Sequence, residues 1–164
     1  MYYQIYIYGG FMEILDFKHE EERIFGKIGE NKIAPLATSS QNNPTVRMMS
    51  VVIFCNKIYF QTGTDLLKYN QICENKNVAL CFDNIQVEGI ANIIGKPMDH
   101  NIIMEIYKKH HKNSFENYSK LDKEILVEVI PQKITIWEYD NNGKPYRIYL
   151  ELDKKKAYKE MYLE

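Results

Sequence analysis

Several signals of common function classes are missing from this chain of 164 residues. The formal net charge is −1, so the sequence lacks the basic excess that is typical of nucleic-acid binders. No apolar run approaches the ~20 residues that a membrane-spanning helix requires. Neither a GxGxxG nor a GxxxxGK[ST] segment occurs, so no dinucleotide or nucleoside-triphosphate loop is encoded. We therefore expect neither nucleic acid nor a membrane as a partner.

Cysteine is also scarce. Cys55, Cys73 and Cys81 form no CxxC pair and lie in apolar sequence, which predicts buried free thiols in a reducing compartment. The N-terminus has neither the cationic start nor the cleavage site of a signal peptide, so we predict a cytoplasmic protein. His100 and His111 bracket a predicted helix without cysteines or a carboxylate cluster beside them, and we predict no metal site. No Ser-His-Asp order is recognisable.

The apolar pattern predicts one mainly β domain, because the length suits a single core. Alternating apolar residues predict six strands, within residues 33–40, 46–55, 58–62, 78–82, 86–95 and 124–139. Helical spacing predicts helices at 19–29, 65–75 and 98–111, and a lysine-rich amphipathic helical tail at 153–164. Short connections favour a small antiparallel barrel over a doubly wound sheet.

Finer details of these elements are predicted from turn and cap residues. Asn56-Lys57 is expected to form the turn between two strands, and a bend is expected near Pro131 in the last one. Asp65 and Asp99 are the expected N-caps of the second and third helices. Residues 113–122 are polar and predict a loop or a short helix.

Residues 1–11 form a leader that differs from the rest of the chain. Gly9-Gly10, shortly before Met12, is what a purine-rich ribosome-binding site would encode if it were translated. We therefore predict that Met12 is the native start and that the domain covers residues 12–164. Where the leader is present, its strong β propensity predicts an added edge strand.

One segment, residues 43–83, carries the candidate binding groups. Arg47 begins a strand, Thr62 ends the returning strand, and Thr64 and Lys68 lie at the start of the next helix. Guanidinium, ammonium and hydroxyl donors together with a helix start are the groups that bind a phosphate. Each residue alone is typical of a solvated surface, so the prediction depends on their joint order.

The same order resembles the FMN-binding split barrels related to pyridoxamine 5'-phosphate oxidase. It consists of a proline, an arginine three residues later, an apolar strand, a turn, a strand that ends aromatic-polar-threonine, and a helix with a lysine. The resemblance covers roughly residues 21–139 and is greatest to the short general-stress and nitroimidazole-resistance branches. It implies a six-stranded antiparallel split β-barrel of Greek-key type with flanking helices.

The resemblance also implies a cofactor, a partner and roles for single residues. Such proteins are homodimers with two FMN sites at the subunit interface. By this resemblance Arg47, Thr62 and Lys68 would hold the phosphate, and Met48, Met49, Phe60 and Gln61 would line the flavin ring. The residue pattern itself adds main-chain groups of Ser50 for the ring and the helix start at Thr64 for the phosphate. Trp137 of the partner would approach the flavin, and a core tryptophan is the alternative.

The function implied is an FMN-dependent oxidoreductase that acts on an unidentified small molecule. No side chain is predicted as a catalytic acid or base, because the flavin supplies the chemistry. The residues that bind the substrate phosphate in the vitamin oxidase are not found in the C-terminal segment, which argues against that reaction. The alternatives are a flavin-binding or haem-binding sensor or carrier without turnover, and a barrel that binds another ligand. FAD or a deazaflavin in place of FMN stays open.

Overall fold

The computed structural model describes residues 4–7 and 10–162, with side chains from Met12 to Tyr162. Within these residues the chain forms ten strands and four α-helices, in the order β1 (Gln4–Ile7), β2 (Gly10–Leu15), α1 (Phe17–Ile28), β3 (Asn31–Ser40), β4 (Asn43–Phe54), β5 (Lys57–Gly63), α2 (Leu67–Glu74), β6 (Asn77–Phe82), β7 (Ile85–Gly95), α3 (Asn101–His110), α4 (Lys112–Tyr118), β8 (Glu124–Tyr139), β9 (Pro145–Glu151) and β10 (Lys156–Met161). None of these helices has both the length and the apolar content that crossing a bilayer requires.

Six of the strands close into an antiparallel barrel. Their order is β6-β3-β4-β5-β8-β7, and β7 pairs with both β6 and β8, so the ring is complete. Strands β3, β4 and β5 follow one another, and β6 returns to lie beside β3, which is the Greek-key arrangement. The prediction of a mainly β, six-stranded antiparallel barrel with flanking helices is therefore confirmed.

The longest wall of the barrel is the ladder between β7 and β8. Inward-facing residues of these strands, among them Val87, Ala91 and Ile134, are fully buried in the main core. The register of the ladder shifts between Glu88 and Gly89, which lies opposite Pro131. A Cβ on Gly89 would lie 2.7 Å from Val129 Cγ1, so a glycine is needed where the strands approach so closely. The irregularity lies where the sequence predicts a bend.

Two helices pack against opposite parts of the barrel. Ile103, Met104 and Tyr107 of α3 are buried against the outer faces of β4, β5 and β8. Ile72 of α2 belongs to the main core, and α2 packs chiefly against β3. Helix α3 therefore borders β4 and β5, the strands that carry most of the predicted site, and α2 also contacts β5.

The C-terminal segment is strand and not helix, so the predicted helical tail is wrong. Residues 156–161 form β10, which pairs with β9 on one side and with β2 on the other. In a segment such as Lys156-Ala157-Tyr158-Lys159, alternate residues can also lie on one face of a strand, so the sequence fits a helix or a strand. The free edges of β9 and β2 favour the strand, because both can pair with it. Strand β9 was likewise absent from the predicted elements.

The cysteines are exposed, which contradicts the prediction of buried thiols. Cys55 and Asn56 have φ values of 49° and 59° and form the tight turn between β4 and β5, one residue earlier than predicted. Positive φ at both central residues is what a two-residue hairpin turn requires. Cys73 of α2 and Cys81 of β6 lie on the solvent side of their elements.

Both predicted aspartate caps are also wrong. Helix α2 begins at Leu67 after the N-cap Leu66, whose side chain has no acceptor to offer, and Asp65 is paired with Lys123. Asp99 lies in a short 3-10 turn, Pro97–Asp99, and His100 takes the cap position of α3. The segment predicted as a loop or short helix contains α4.

The leader contributes strands at the edge of the sheet. Strand β1 pairs with β2 alone, and β2 pairs with β10, so the predicted edge strand is confirmed for residues 4–7. Residues 1–3 and 8–9 lie outside the described part of the chain. A native start at Met12 stays a prediction.

Candidate functional site

Strands β4 and β5 separate after a short paired stretch, and the barrel is split between them. They pair only through Val52 with Tyr59, Ile53 with Ile58 and Phe54 with Lys57. Residues 43–51 of β4 pair with β3 alone, and residues 60–63 of β5 pair with β8 alone. A cleft of about 350 Å³ lies in this split, within the range of small-molecule sites.

Six of the ten predicted site residues line the cleft: Met48, Met49, Ser50, Gln61, Thr62 and Lys68. They come from both diverging strands and from α2. The residues that sequence reasoning missed close the other side: Asp65, Leu66, Ser114, Tyr118, Leu121, Lys123 and Glu124. The structure thus gathers most of the predicted set around one space.

A buried tyrosine bridges the inner end of the split. The hydroxyl of Tyr107 donates to the backbone carbonyl of Ser50 at 2.5 Å and lies 3.5 Å from the carbonyl of Tyr59. Since the two strands no longer bond each other there, the hydroxyl satisfies a carbonyl that would otherwise be buried without a donor. Helix α3 therefore holds the split open.

Arg47 lies at the barrel end, beside the cleft, and is oriented by neutral acceptors. One nitrogen of its guanidinium donates to Thr38 Oγ1 at 2.7 Å and to the carbonyl of Leu36 at 3.2 Å, and the other donates to Thr45 Oγ1. The Gln71 side chain of α2 accepts from both threonines. These partners fix the group without cancelling its charge, because no carboxylate of the described residues lies within ion-pair distance of it.

Lys68 adds a second positive charge to the same region. Burial, and secondly the charge of Arg47, hold the pKa of Lys68 below its usual value, while Glu124 and Asp65 oppose this shift. Arg47 therefore lies close enough to Lys68 for their like charges to repel. In the described part of the chain Lys68 forms no ion pair within 4.0 Å. Two half-buried cations without a direct carboxylate partner favour an added anion.

Gln61 is held by α4 and the segment that follows it. Its amide nitrogen donates to the hydroxyl and the carbonyl of Ser114, both at 3.0 Å, and its amide oxygen accepts from Ser119 at 2.7 Å. Gln61 is buried and all its polar groups have protein partners. Its side chain therefore positions the wall of the cleft, although the residue still borders the space.

Three predicted residues lie away from the cleft in this chain. Phe60 belongs to β5, which borders the cleft, but its side chain is fully buried in the main core. The backbone N–H of Thr64 donates to the carbonyl of Lys123 at 2.9 Å, and Thr64 lies three positions before Leu67, the first residue of α2. Trp137 lies on another face, where its ring stacks near Tyr162 and Arg147.

Glu124 is the missed residue with the most unusual surroundings. It begins β8 directly opposite Gly63 and is only 6% exposed. Burial raises the pKa of its carboxyl, and the positive charges of Lys68 and Lys123 only partly oppose this effect. No local motif marks Glu124, because its place at the cleft depends on the pairing of β5 with β8, two strands far apart in sequence.

Comparison with known proteins agrees with this geometry. The sequence profile of the family described as Pyridoxamine 5'-phosphate oxidase matches residues 20–138, most of the chain. No curated protein sequence matches this one significantly. The expected family resemblance is therefore confirmed by the profile and by the structures below.

Solved structures share the fold at low sequence identity. General Stress Protein 26 from Bacillus anthracis is 22% identical, with a TM-score of 0.59 over 82% of this chain and 99% of that chain. An FMN-binding protein related to pyridoxamine 5'-phosphate oxidase, from Nostoc punctiforme, is 14% identical, with a TM-score of 0.59 over 88% and 93%. The haem storage protein HutZ from Vibrio cholerae is 14% identical, with a TM-score of 0.59 over 71% and 93%.

Proposed function

We propose that this chain, which belongs to the pyridoxamine 5'-phosphate oxidase family, binds FMN in the split of its barrel and is an FMN-dependent oxidoreductase. The substrate would be a small molecule. The FMN-binding relative from Nostoc punctiforme supports the choice of cofactor. The family membership covers residues 20–138, which include all ten predicted site residues.

The observation that carries the proposal is the convergence of Arg47 and Lys68. Both side chains are half-buried, and their positive charges repel each other. Lys68 lines the cleft. A phosphate between them would gain charge-assisted hydrogen bonds and relieve the repulsion between the cations. The guanidinium already has neutral partners on both terminal nitrogens, so its main contribution is a fixed positive charge with the Nε–H still to donate.

The rest of the cleft suits a flat ring with a polar edge. Met48 and Met49 offer thioether surface, and Leu66, Tyr118 and Leu121 offer apolar surface on the opposite side. Backbone groups of β4 face the split because they have no partner strand there, so they can pair with the edge of the ring. Bound FMN would supply hydride or electron transfer between a reductant and the substrate, and the protein would supply position and electrostatics.

We also propose that the protein is a homodimer with a cleft at each subunit interface. The outer face of the β3–β4 hairpin exposes Ile33, Val46 and Met48, each more than 60% accessible to solvent. The pairing register of β3 with β4 places all three side chains on the same face of the hairpin, where they form one stripe. A stripe of large exposed apolar side chains supports contact with a second subunit. That subunit's Trp137 would then lie near the flavin.

The dimer has its own test. Val46→Lys adds a charge to the stripe without touching the lining of the cleft, so we expect monomers in sedimentation equilibrium and weaker FMN binding. Lys154→Ala, in an exposed turn, serves as the control. An unchanged dimer mass for the Val46→Lys protein would place the interface elsewhere.

Three exposed free cysteines suit a reducing compartment, and we propose a cytoplasmic location. Immunolocalisation in the native host would test this. A location in an oxidising compartment would contradict it.

A sensor or carrier without turnover is the second candidate, since the haem storage protein HutZ shares the fold. The absorbance spectrum of the purified full-length protein separates the candidates first, because flavin and haem absorb differently. Mass spectrometry of the released ligand distinguishes FMN from FAD and from a deazaflavin. Anaerobic reduction with nicotinamide cofactors, followed by reoxidation with candidate acceptors, tests turnover. A protein that is colourless and fails to take up added FMN would disprove the proposed function.

A further inference from the structure

Glu124 places an acidic group where the proposed phosphate site needs positive charge. It lines the same cleft as Lys68 and is 6% exposed, so most of the residue is removed from bulk solvent and its carboxyl group borders the cleft. The carboxyl lies beside Gly63, where an added Cβ would lie 3.6 Å from Glu124 Oε2. Lys68 and Glu124 line the same cleft, and the charges of both Arg47 and Glu124 act on the pKa of Lys68, in opposite directions.

The other charged groups around Glu124 are already engaged or neutral. Lys123, next to it in the chain, is paired with Asp65 of the β5–α2 connection at 2.6 Å. Tyr107 of α3 is buried and uncharged, since burial and the charge of Glu124 raise its pKa. Lys68 of α2 is therefore the cation of the cleft lining that has no ion-pair partner within 4.0 Å among the described residues, and its charge favours the ionised form of Glu124.

A bound phosphate would compete with Glu124 for Lys68. Once the ammonium group faces a phosphate, the buried carboxylate loses its compensating charge and gains a like-charged neighbour. Both changes favour the protonated carboxylic acid. The proton is the least costly way to remove the conflict, because the carboxyl group is too buried to be solvated fully.

We propose that Glu124 is a specificity-determining residue of the cleft, which takes up a proton when a phosphate ester binds beside Lys68. This inference rests on the proposed function. The cleft then binds the phosphate-bearing flavin more tightly at acidic pH than at alkaline pH, because the carboxyl group of Glu124 is protonated at acidic pH. Burial, which raises the pKa of this carboxyl, places the transition above the usual range of glutamate.

The test compares FMN with riboflavin, which lacks the phosphate, across a pH series. Full-length wild-type protein and Glu124→Gln are titrated with each flavin. We expect equal FMN affinities at acidic pH and about tenfold tighter binding by Glu124→Gln at alkaline pH, because a rise of one unit in the pKa of Glu124 on FMN binding corresponds to a tenfold change in affinity. The ionisation of the phosphate itself affects both proteins equally and cancels in the ratio. The riboflavin affinities should differ by the same factor at every pH.

Calorimetry gives a second measurement, which counts the protons directly. FMN binding to the wild-type protein and to Glu124→Gln is measured in two buffers of different ionisation enthalpy, at a pH above the second phosphate pKa of about 6. We expect net proton uptake with FMN that is larger for wild type than for Glu124→Gln, because any proton taken up by Lys68 is common to both proteins, and no such difference with riboflavin. Glu128→Gln, on the same strand and paired with Lys57 outside the cleft, is the matched control and should behave as wild type.

The outcomes separate this inference from the function on which it rests. Wild-type protein that binds FMN with no more proton uptake than Glu124→Gln, and with the pH profile of that variant, would overturn the role of Glu124 alone. Wild-type protein that binds FMN at no pH would overturn the proposed function as well.

Discussion

The wall formed by β7 and β8 and the split between β4 and β5 both consist of antiparallel neighbours. They differ in how far the two backbones are hydrogen-bonded to each other. In the wall, the strands pair from Ile85 to Gly95 with two register shifts, and the inward side chains are aliphatic. In the split, pairing stops after three residue pairs, and a tyrosine hydroxyl, methionines and charged groups occupy the gap. Stability is concentrated where backbone groups satisfy each other, and binding capacity where they do not.

The largest effect on stability is expected from a variant that weakens the wall alone. Ile134→Ala removes a fully buried side chain from the core at β8. We expect a loss of about 2 to 5 kcal/mol in the free energy of unfolding, from lost burial and the cavity left behind. Urea unfolding measures this value, and FMN affinity of the folded protein should stay close to wild type.

Ile102→Ala is the control for that variant, because Ile102 is an exposed residue of α3. It should change the free energy of unfolding by less than about 0.5 kcal/mol. A large loss of FMN affinity in folded Ile134→Ala would show that the wall and the split are not independent.

The converse change weakens the split alone. Arg47→Ala removes one of the two cations, so the fold should remain and FMN affinity should fall by roughly 10- to 150-fold, as expected for charge-assisted hydrogen bonds of about 1.5 to 3 kcal/mol. Fluorescence titration with FMN measures the affinity. Unchanged affinity in folded Arg47→Ala protein would reject its phosphate role, and Lys154→Ala controls for the loss of a surface charge.

Tyr107→Phe tests whether the split is a stable part of the fold. Removing the hydroxyl leaves the Ser50 carbonyl without its donor in a buried place, and we expect a loss of about 1 to 3 kcal/mol in the free energy of unfolding. Tyr149→Phe removes a hydroxyl that bonds Glu160 away from the split and should cost less. Equal stability of Tyr107→Phe and wild type in thermal unfolding would mean that water or another donor replaces the hydroxyl.

The smallest effect is expected from the cysteines, which lie outside both regions. Cys73→Ser and Cys81→Ser change exposed side chains, so each should alter the free energy of unfolding by no more than about 0.5 kcal/mol. All three thiols of the native protein should react rapidly with a thiol reagent. Slow labelling would restore the prediction of buried cysteines.

The elements of the barrel could be predicted from the sequence because their signals are local. Alternation of apolar residues marks β3 to β8, and the tight turn between β4 and β5 lies within one residue of the predicted Asn56-Lys57 turn. The order Arg47, Thr62, Lys68 predicted a shared region, and the structure brings Thr62 and Lys68 to the cleft with Arg47 beside it. Strand β10 and the caps were missed, because their conformations depend on partners distant in the chain.

Sequence alone determined the six strands of the barrel and which side of each faces the core, since these follow from spacing along one chain. Tertiary structure alone decided that β9 and β10 are strands, that β4 and β5 separate, that Phe60 lies in the core and Trp137 on another face, and that Glu124 lines the same cleft as Lys68. The physical reason is that strand register joins residues such as Gly63 and Glu124 across sixty positions of sequence. No local pattern carries that information, because the energy of the pairing belongs to both strands together.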